Sequence, residues 1–129
     1  MTIRSAVVCG ACLLSSVMPG CAAQRAERPS GAMKIELLGF PGCPNTPVLR
    51  AHLRKALADP AAFEEVNQED LPWSDPLRGW PTPTILVNGR DLFGLPAPSS
   101  HAMGCRLYSG GVPTVSEIRS ALALRHTGR

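Results

Sequence analysis

Apolar and polar positions in the chain follow first a strand-like and then a helical pattern. Residues 34–40 are mostly apolar with partial alternation, and a Pro-Gly pair follows them, which predicts a buried first strand. From Pro44 the apolar positions recur every three or four residues, which predicts an amphipathic helix ending near Asp59 and Pro60. We expect one side of this helix to be buried and the other to face water; the buried side would carry Val48, Leu49, Leu53, Ala56 and Leu57, and the other Arg50, Arg54 and Lys55.

Two further stretches have the composition of strands. Residues 84–87 are apolar and rich in β-branched side chains, and the Asn-Gly pair after them is typical of a two-residue hairpin turn. An antiparallel partner is therefore expected at residues 90–93. Residues 62–66 predict another strand, followed by an irregular or short helical crossover that runs to Trp80.

The last third of the chain begins with a loop and ends with a helix. Residues 94–111 are rich in Gly, Pro and Ser, so they predict a long loop, which carries Cys105. Residues 113–124 have helical spacing, with Thr114 or Ser116 as the residue that starts the helix. The alternation of strands and helices indicates one α/β domain over residues 33–129.

The first 32 residues have a different character. One early charge, Arg4, precedes an uncharged run, and the segment that ends at Cys21 resembles a bacterial lipobox, so residues 1–21 predict a lipoprotein signal with Cys21 as the lipidated residue. Residues 22–32 are polar and small and predict a flexible tether. The protein would then be exported and anchored to the bacterial cell membrane. If translation starts at Met33 instead, it would be cytoplasmic.

Size and charge restrict the classes of function. A chain of 129 residues that is 44% hydrophobic has room for one domain of ordinary core size. The formal net charge is +3, and the first 32 residues supply +2 of it. The nearly neutral body has no basic stripe for nucleic acid. We expect no nucleic-acid partner, and we expect a monomer.

The position of Cys43 makes it the candidate reactive thiol. Cys9 and Cys12 lie in the predicted signal, so Cys43 and Cys105 are the cysteines of the body. Cys43 lies between the first strand and the first helix, where unpaired N–H groups and the helix dipole stabilise a thiolate. The alternatives are an inert buried cysteine at a tight turn, or a structural disulfide between Cys43 and Cys105.

The order of these elements, with Cys43 in the segment 42–46 and a Pro-Thr strand and hairpin at residues 83–89, resembles the thioredoxin-like family. The resemblance implies an α/β thioredoxin-like fold, in which a small central mixed sheet is flanked by helices. It also implies a cis-proline that faces the reactive sulfur, and no bound cofactor. The residues that it places against substrate are Pro44, Thr82 and Pro83.

One departure from that family changes the expected chemistry. Thr46 stands where the family has the second cysteine of its Cys-x-x-Cys motif. Thr46 can donate a hydrogen bond to the thiolate, as in the Cys-x-x-Thr relatives, and Cys105 is the candidate resolving thiol if its loop folds back over the site. We therefore predict a thiol-dependent oxidoreductase that acts on a protein or small-molecule disulfide or on a peroxide, with Cys43, Thr46 and Cys105 as the catalytic residues.

Two other functions fit the same residues. The first is a membrane-anchored binding protein that captures a thiophilic metal or an organomercurial through Cys43 and Cys105. His101 is a weak third ligand, because the three side chains lack a paired spacing, and we predict no dedicated metal site. The second is a partner-binding module that performs no chemistry.

Overall fold

The computed structural model describes residues 32–128, which form a four-stranded mixed sheet with two helices. The strands are β1 (Ile35–Gly39), β2 (Glu64–Asn67), β3 (Thr84–Val87) and β4 (Arg90–Asp91), and the helices are α1 (Asn45–Ala56) and α2 (Val115–Thr127). A single 3₁₀ turn, Gln68–Asp70, follows β2. The expectation of an α/β fold with a mixed sheet is confirmed.

The sheet order is β2-β1-β3-β4, so the first strand is central. β1 pairs with β2 in parallel and with β3 antiparallel. Asn88 and Gly89 both have positive φ, 51° and 78°, which is the conformation of the type I′ turn expected between β3 and β4. β4 ends at Asp91, two residues earlier than expected. The Asp91 carboxylate accepts hydrogen bonds from the backbone N–H groups of Phe93 and Leu95, and these bonds turn the chain out of the sheet.

Side chains alternate across the sheet and build a core on each face. The larger core joins one face of β1 and β3 to both helices; its buried members are Ile35, Leu37, Leu49, Leu53, Ile85, Val87, Leu92, Ile118 and Leu122. The smaller core contains Leu38, Leu86 and Trp80. Both helices therefore cover the same face, and the irregular segment that carries Trp80 covers the other.

The helices begin and end close to the expected residues. Thr114 caps α2 in a capping box with Glu117, so the first of the two predicted start residues is the one used. α2 continues three residues further than expected, and Arg125 in that last turn donates to the carbonyl oxygen of Asp91 at 2.7 Å. In α1 the expected burial of Val48 is wrong, because its side chain is 42% exposed.

Part of the N-terminal prediction lies outside the described residues. The predicted signal, Cys21 and all of the tether except Ala32 lie outside residues 32–128, so export and lipidation stay predictions. Within residues 32–128, neither helix is long and apolar enough to cross a membrane.

Candidate functional site

Cys43 occupies the loop that leads from β1 into α1. Its backbone N–H donates to the carbonyl oxygen of Phe40 at 3.4 Å, and Gly42 before it adopts a φ of +87°, which favours glycine. Pro44 is the N-cap of α1, and its own missing N–H leaves no unpaired donor there. The turn thus places the thiol at the start of the helix, with its side chain only 5% exposed.

The surroundings of Cys43 favour its thiolate. Burial raises the pKa of Cys43, but the thiolate can accept hydrogen bonds from the Thr46 hydroxyl, from the backbone N–H groups of Asn45 and Thr46 and from the Cys105 thiol. These bonds outweigh the effect of burial, so the pKa is lowered. Because the thiolate is the nucleophilic form, a lowered pKa increases the reactive fraction near neutral pH.

Thr46 is the polar side chain that completes this environment. It is 4% exposed, and its Oγ1 has no hydrogen-bond partner within residues 32–128 while Cys43 is a thiol. A buried hydroxyl without a partner is costly, so its placement beside Cys43 is explained by the thiolate to which it can donate. Thr46 therefore lies where the sequence placed it, at the third position after the cysteine.

Gly39 at the end of β1 makes room for Thr46. A Cβ at Gly39 would lie 2.7 Å from Thr46 Cγ2, closer than side-chain atoms normally approach. Gly39 is thus a positioning residue that the sequence analysis missed. Its only signal was a glycine at the end of an otherwise apolar strand.

Thr82 contacts the thiol from the loop before β3, and Pro83 follows it in the chain. The Thr82–Pro83 peptide bond is cis, as the family resemblance implied. The Cys43 Sγ donates to the Thr82 carbonyl oxygen at 3.7 Å, and Tyr108 Oη donates to the Pro83 carbonyl oxygen at 2.8 Å. Thr82 is completely buried. Of the three residues expected against substrate, Thr82 and Pro83 are buried and only Pro44 is exposed.

Residues 104–106, which we call the strap, pair with the backbone of Thr82. The Thr82 N–H donates to Gly104 O at 2.8 Å, and the Arg106 N–H donates to Thr82 O at 2.7 Å. This parallel bridge places Cys105 directly opposite Thr82. Cys43 and Cys105 are both free thiols, the first buried and the second exposed. The loop that carries Cys105 therefore folds back against Thr82, the residue that also contacts Cys43.

A buried ion pair fixes the strap to the sheet. The Arg106 guanidinium donates to the two carboxylate oxygens of Asp91 at 2.5 and 3.2 Å and to Thr84 Oγ1 at 3.1 Å. It also lies over the Tyr108 ring, 4.3 Å from its centroid. The Asp91 side chain is fully buried. The sequence did not indicate that Asp91 and Arg106 form an ion pair, because the two side chains meet only after the strap folds onto the sheet.

A groove of about 550 Å³ opens on the other side of Cys43. Its walls come from the loop around Cys43, from α1 and from β2, and they include Thr46, Arg50 and Glu65. The Arg50 Nε lies 2.8 and 3.0 Å from the two Glu65 carboxylate oxygens, and Nη2 contacts the same carboxylate. Cys43 therefore lies between the strap and a groove that carries one charged pair.

The arrangement does not support a three-ligand metal site. Within residues 32–128, no three His, Cys, Asp or Glu side chains form a group that could hold a metal ion. His101 instead packs against Trp73, with ring centroids 6.1 Å apart. The two thiols therefore have no third ligand from the described part of the chain.

No protein-family model, curated protein or solved structure matches this chain.

Proposed function

We propose that the chain is a thiol–disulfide oxidoreductase with a thioredoxin-like fold, in which Cys43 is the nucleophile and Cys105 the resolving thiol. The observation that carries the proposal is that both cysteines lie next to the same residue, Thr82. The Cys43 thiol donates to its carbonyl oxygen, and Cys105 is its bridge partner in the strap. The lowered pKa of Cys43 supports its role as the attacking group.

The reaction with a disulfide proceeds in two exchanges. The Cys43 thiolate attacks one sulfur of the substrate, the substrate S–S bond breaks, and the first thiol leaves with a proton from solvent. Cys105 then loses its proton and attacks the Cys43 sulfur of the mixed disulfide, which releases the second thiol. The protein is left with a Cys43–Cys105 disulfide, and the two electrons that it lost are on the two product thiols. A thiol reductant returns the protein to the dithiol form.

A hydroperoxide is the second substrate class for the same pair. The thiolate attacks the peroxide, the O–O bond breaks, an alcohol or water leaves, and Cys43 becomes a sulfenic acid. Condensation with Cys105 releases water and closes the same disulfide. Thr46 and the first N–H groups of α1 stabilise the thiolate in both reactions, and neither reaction needs a bound cofactor.

Several features of the fold favour the thioredoxin-like assignment. The mixed sheet, the thiol between β1 and α1, and the cis peptide bond before Pro83 agree with what the family resemblance implies. The crossover between β2 and β3 departs from a helix-flanked sheet, since it contains one 3₁₀ turn and otherwise irregular chain.

The test is a single-turnover experiment without added reductant. Pre-reduced protein is mixed with 2-hydroxyethyl disulfide, and mass spectrometry follows the conversion to a form lighter by two hydrogen atoms. We expect this form in the wild type, a stable mixed disulfide in Cys105→Ser, and no reaction at residue 43 in Cys43→Ser. If the wild type and Cys43→Ser react with 2-hydroxyethyl disulfide at the same rate, the proposal is overturned.

Capture of a thiophilic metal or an organomercurial is the second candidate function. The observation in its favour is that two thiols meet at Thr82 without a third ligand from residues 32–128, which suits the low coordination numbers of soft cations. Uptake of one mercuric ion per protein that needs both cysteines, together with no disulfide turnover, would favour this function over the first.

We also propose that the domain acts at a bacterial membrane surface through lipidated Cys21. The support is the lipobox-like segment that ends at Cys21. Labelled palmitate retained by the wild type and lost in Cys21→Ala would support the anchor. Equal labelling of both proteins would overturn it.

A further inference from the structure

The groove beside Cys43, lined by Arg50 and Glu65, has the features of a substrate site, and its substrate class can be argued from its charges. The inference rests on the proposed thiol–disulfide exchange at Cys43.

The strap closes the Thr82 side to a polypeptide substrate. An extended peptide can pair with a protein as an added strand only where backbone N–H and C=O groups of the protein are free to form hydrogen bonds. The Thr82 N–H is already bonded to Gly104, and its carbonyl oxygen accepts from Arg106 and from the Cys43 thiol. A protein substrate therefore has no strand-pairing site at Thr82 while the strap is in place.

The open side of Cys43 has the size of a small-molecule site. Its volume of about 550 Å³ lies in the range of small-ligand pockets, roughly 300–1,000 Å³. A small disulfide fits such a space.

The charged pair on the groove wall indicates which small disulfide is recognised. Arg50 uses Nε and Nη2 for Glu65, and its Nη1 has no hydrogen-bond partner within residues 32–128. The side chains of Arg50 and Glu65 are 31% and 40% exposed, so a ligand can reach both. A guanidinium binds carboxylates with paired hydrogen bonds, and a carboxylate accepts hydrogen bonds from an ammonium group.

We propose that this groove selects a low-molecular-weight disulfide of the amino acid type, with the substrate carboxylate on Arg50, the substrate ammonium on Glu65, and a substrate sulfur at Cys43. The exchange is the one described for Cys43 and Cys105, so it leaves a protein disulfide and two amino-acid thiols.

Four disulfides that differ in charge test the proposal. Cystine carries both charges, 3,3′-dithiodipropionate only carboxylates, cystamine only ammonium groups, and 2-hydroxyethyl disulfide none. Single-turnover rate constants are measured with pre-reduced wild type, Arg50→Gln, Glu65→Gln and the control Arg54→Gln. Arg54 lies one turn further along α1, is exposed, and does not line the groove. Each variant's rate constant is divided by that of the wild type with the same disulfide.

The expected result is a crossed pattern. Arg50→Gln slows cystine and dithiodipropionate by about tenfold and does not slow cystamine, because it removes the partner of the carboxylate and leaves the partner of the ammonium group. Glu65→Gln slows cystine and cystamine and does not slow dithiodipropionate. For each variant, the change in rate constant with the neutral disulfide measures any general effect on the Cys43 reaction and is divided out of the other three ratios. Arg54→Gln changes none of the four rate constants.

Two results would overturn the inference while leaving the proposed function intact. One is that Arg50→Gln and Glu65→Gln change all four rate constants by the same factor, and the other is that Arg54→Gln has the effect of Arg50→Gln. If the neutral disulfide is not reduced in a Cys43-dependent reaction, the proposed function fails and this inference fails with it.

Discussion

The Cys43 thiol donates a hydrogen bond to the carbonyl oxygen of Thr82 over 3.7 Å. This contact joins the start of α1 to the loop before β3, at the end of the sheet where β1 ends and β3 begins. Thr82 also pairs with the strap, so the same residue fixes both thiols of the proposed redox pair.

Substitution of Thr46 by valine should separate reactivity from stability. The variant keeps the shape of the side chain and removes the hydroxyl, so the pKa of Cys43 should rise and alkylation by iodoacetamide at pH 6 should slow. The free energy of unfolding should stay the same or rise by about 1 kcal/mol, because the lost hydroxyl is buried without a partner. Urea unfolding and the pH dependence of alkylation measure the two effects. Unchanged alkylation would exclude Thr46 as the thiolate's donor.

Gly39→Ala should lower the free energy of unfolding by about 1–3 kcal/mol and slow alkylation of Cys43, because the new Cβ displaces the Thr46 side chain. Gly104→Ala is the matched control, since nothing lies within 4 Å of its added Cβ. In Gly39→Ala/Thr46→Ser the clashing methyl group is gone and the hydroxyl remains, so both properties should recover. A double variant as impaired as Gly39→Ala alone would contradict this explanation.

Asp91→Asn should destabilise the fold by about 3–5 kcal/mol, because it leaves the Arg106 charge without its partner in a largely buried site. Urea unfolding measures the change. Glu65→Gln provides a comparison, since it breaks an ion pair whose side chains are partly exposed and should cost only about 0–1 kcal/mol. Equal losses in the two variants would show that the Asp91–Arg106 pair does not hold the strap.

Tyr108 should make stability depend on pH at the alkaline end. Burial raises the pKa of Tyr108 to about 12, against about 10 in an unfolded chain. Below pH 10 both states keep the phenol proton, and between pH 10 and 12 the unfolded state loses it first, so stability falls as the pH rises. Tyr108 is the only tyrosine of the chain, so absorbance at alkaline pH follows it directly. Titration near pH 10 would contradict its burial, and Tyr108→Phe should remove this pH dependence.

Local patterns in the sequence predicted the elements that depend on neighbouring residues. β3 and its Asn-Gly turn, the start of α1 after Cys43 and the Thr114 cap all follow from short-range rules of alternation, turn conformation and capping. The early end of β4 could not be predicted, because it depends on where the Asp91 carboxylate points after folding.

The sequence predicted that Cys43 and Thr46 lie together, but it placed Cys105 near them only on the condition that its loop folds back. Cys43 and Thr46 are close in sequence, and helix geometry alone brings them together. The strap lies far along the chain in a loop without periodicity, and its register on Thr82 depends on the Asp91–Arg106 pair. The Arg50–Glu65 pair likewise joins a helix to a strand, and the sequence indicated only that Arg50 faces water.

The measurement that tests the central claim most directly is non-reducing peptide mapping of the wild type after reaction with one equivalent of 2-hydroxyethyl disulfide. The proposed mechanism predicts one cross-linked peptide pair that contains Cys43 and Cys105, formed in proportion to the thiol released. A product in which Cys43 stays in a mixed disulfide while Cys105 remains reduced would contradict the claim that these two residues form the redox pair.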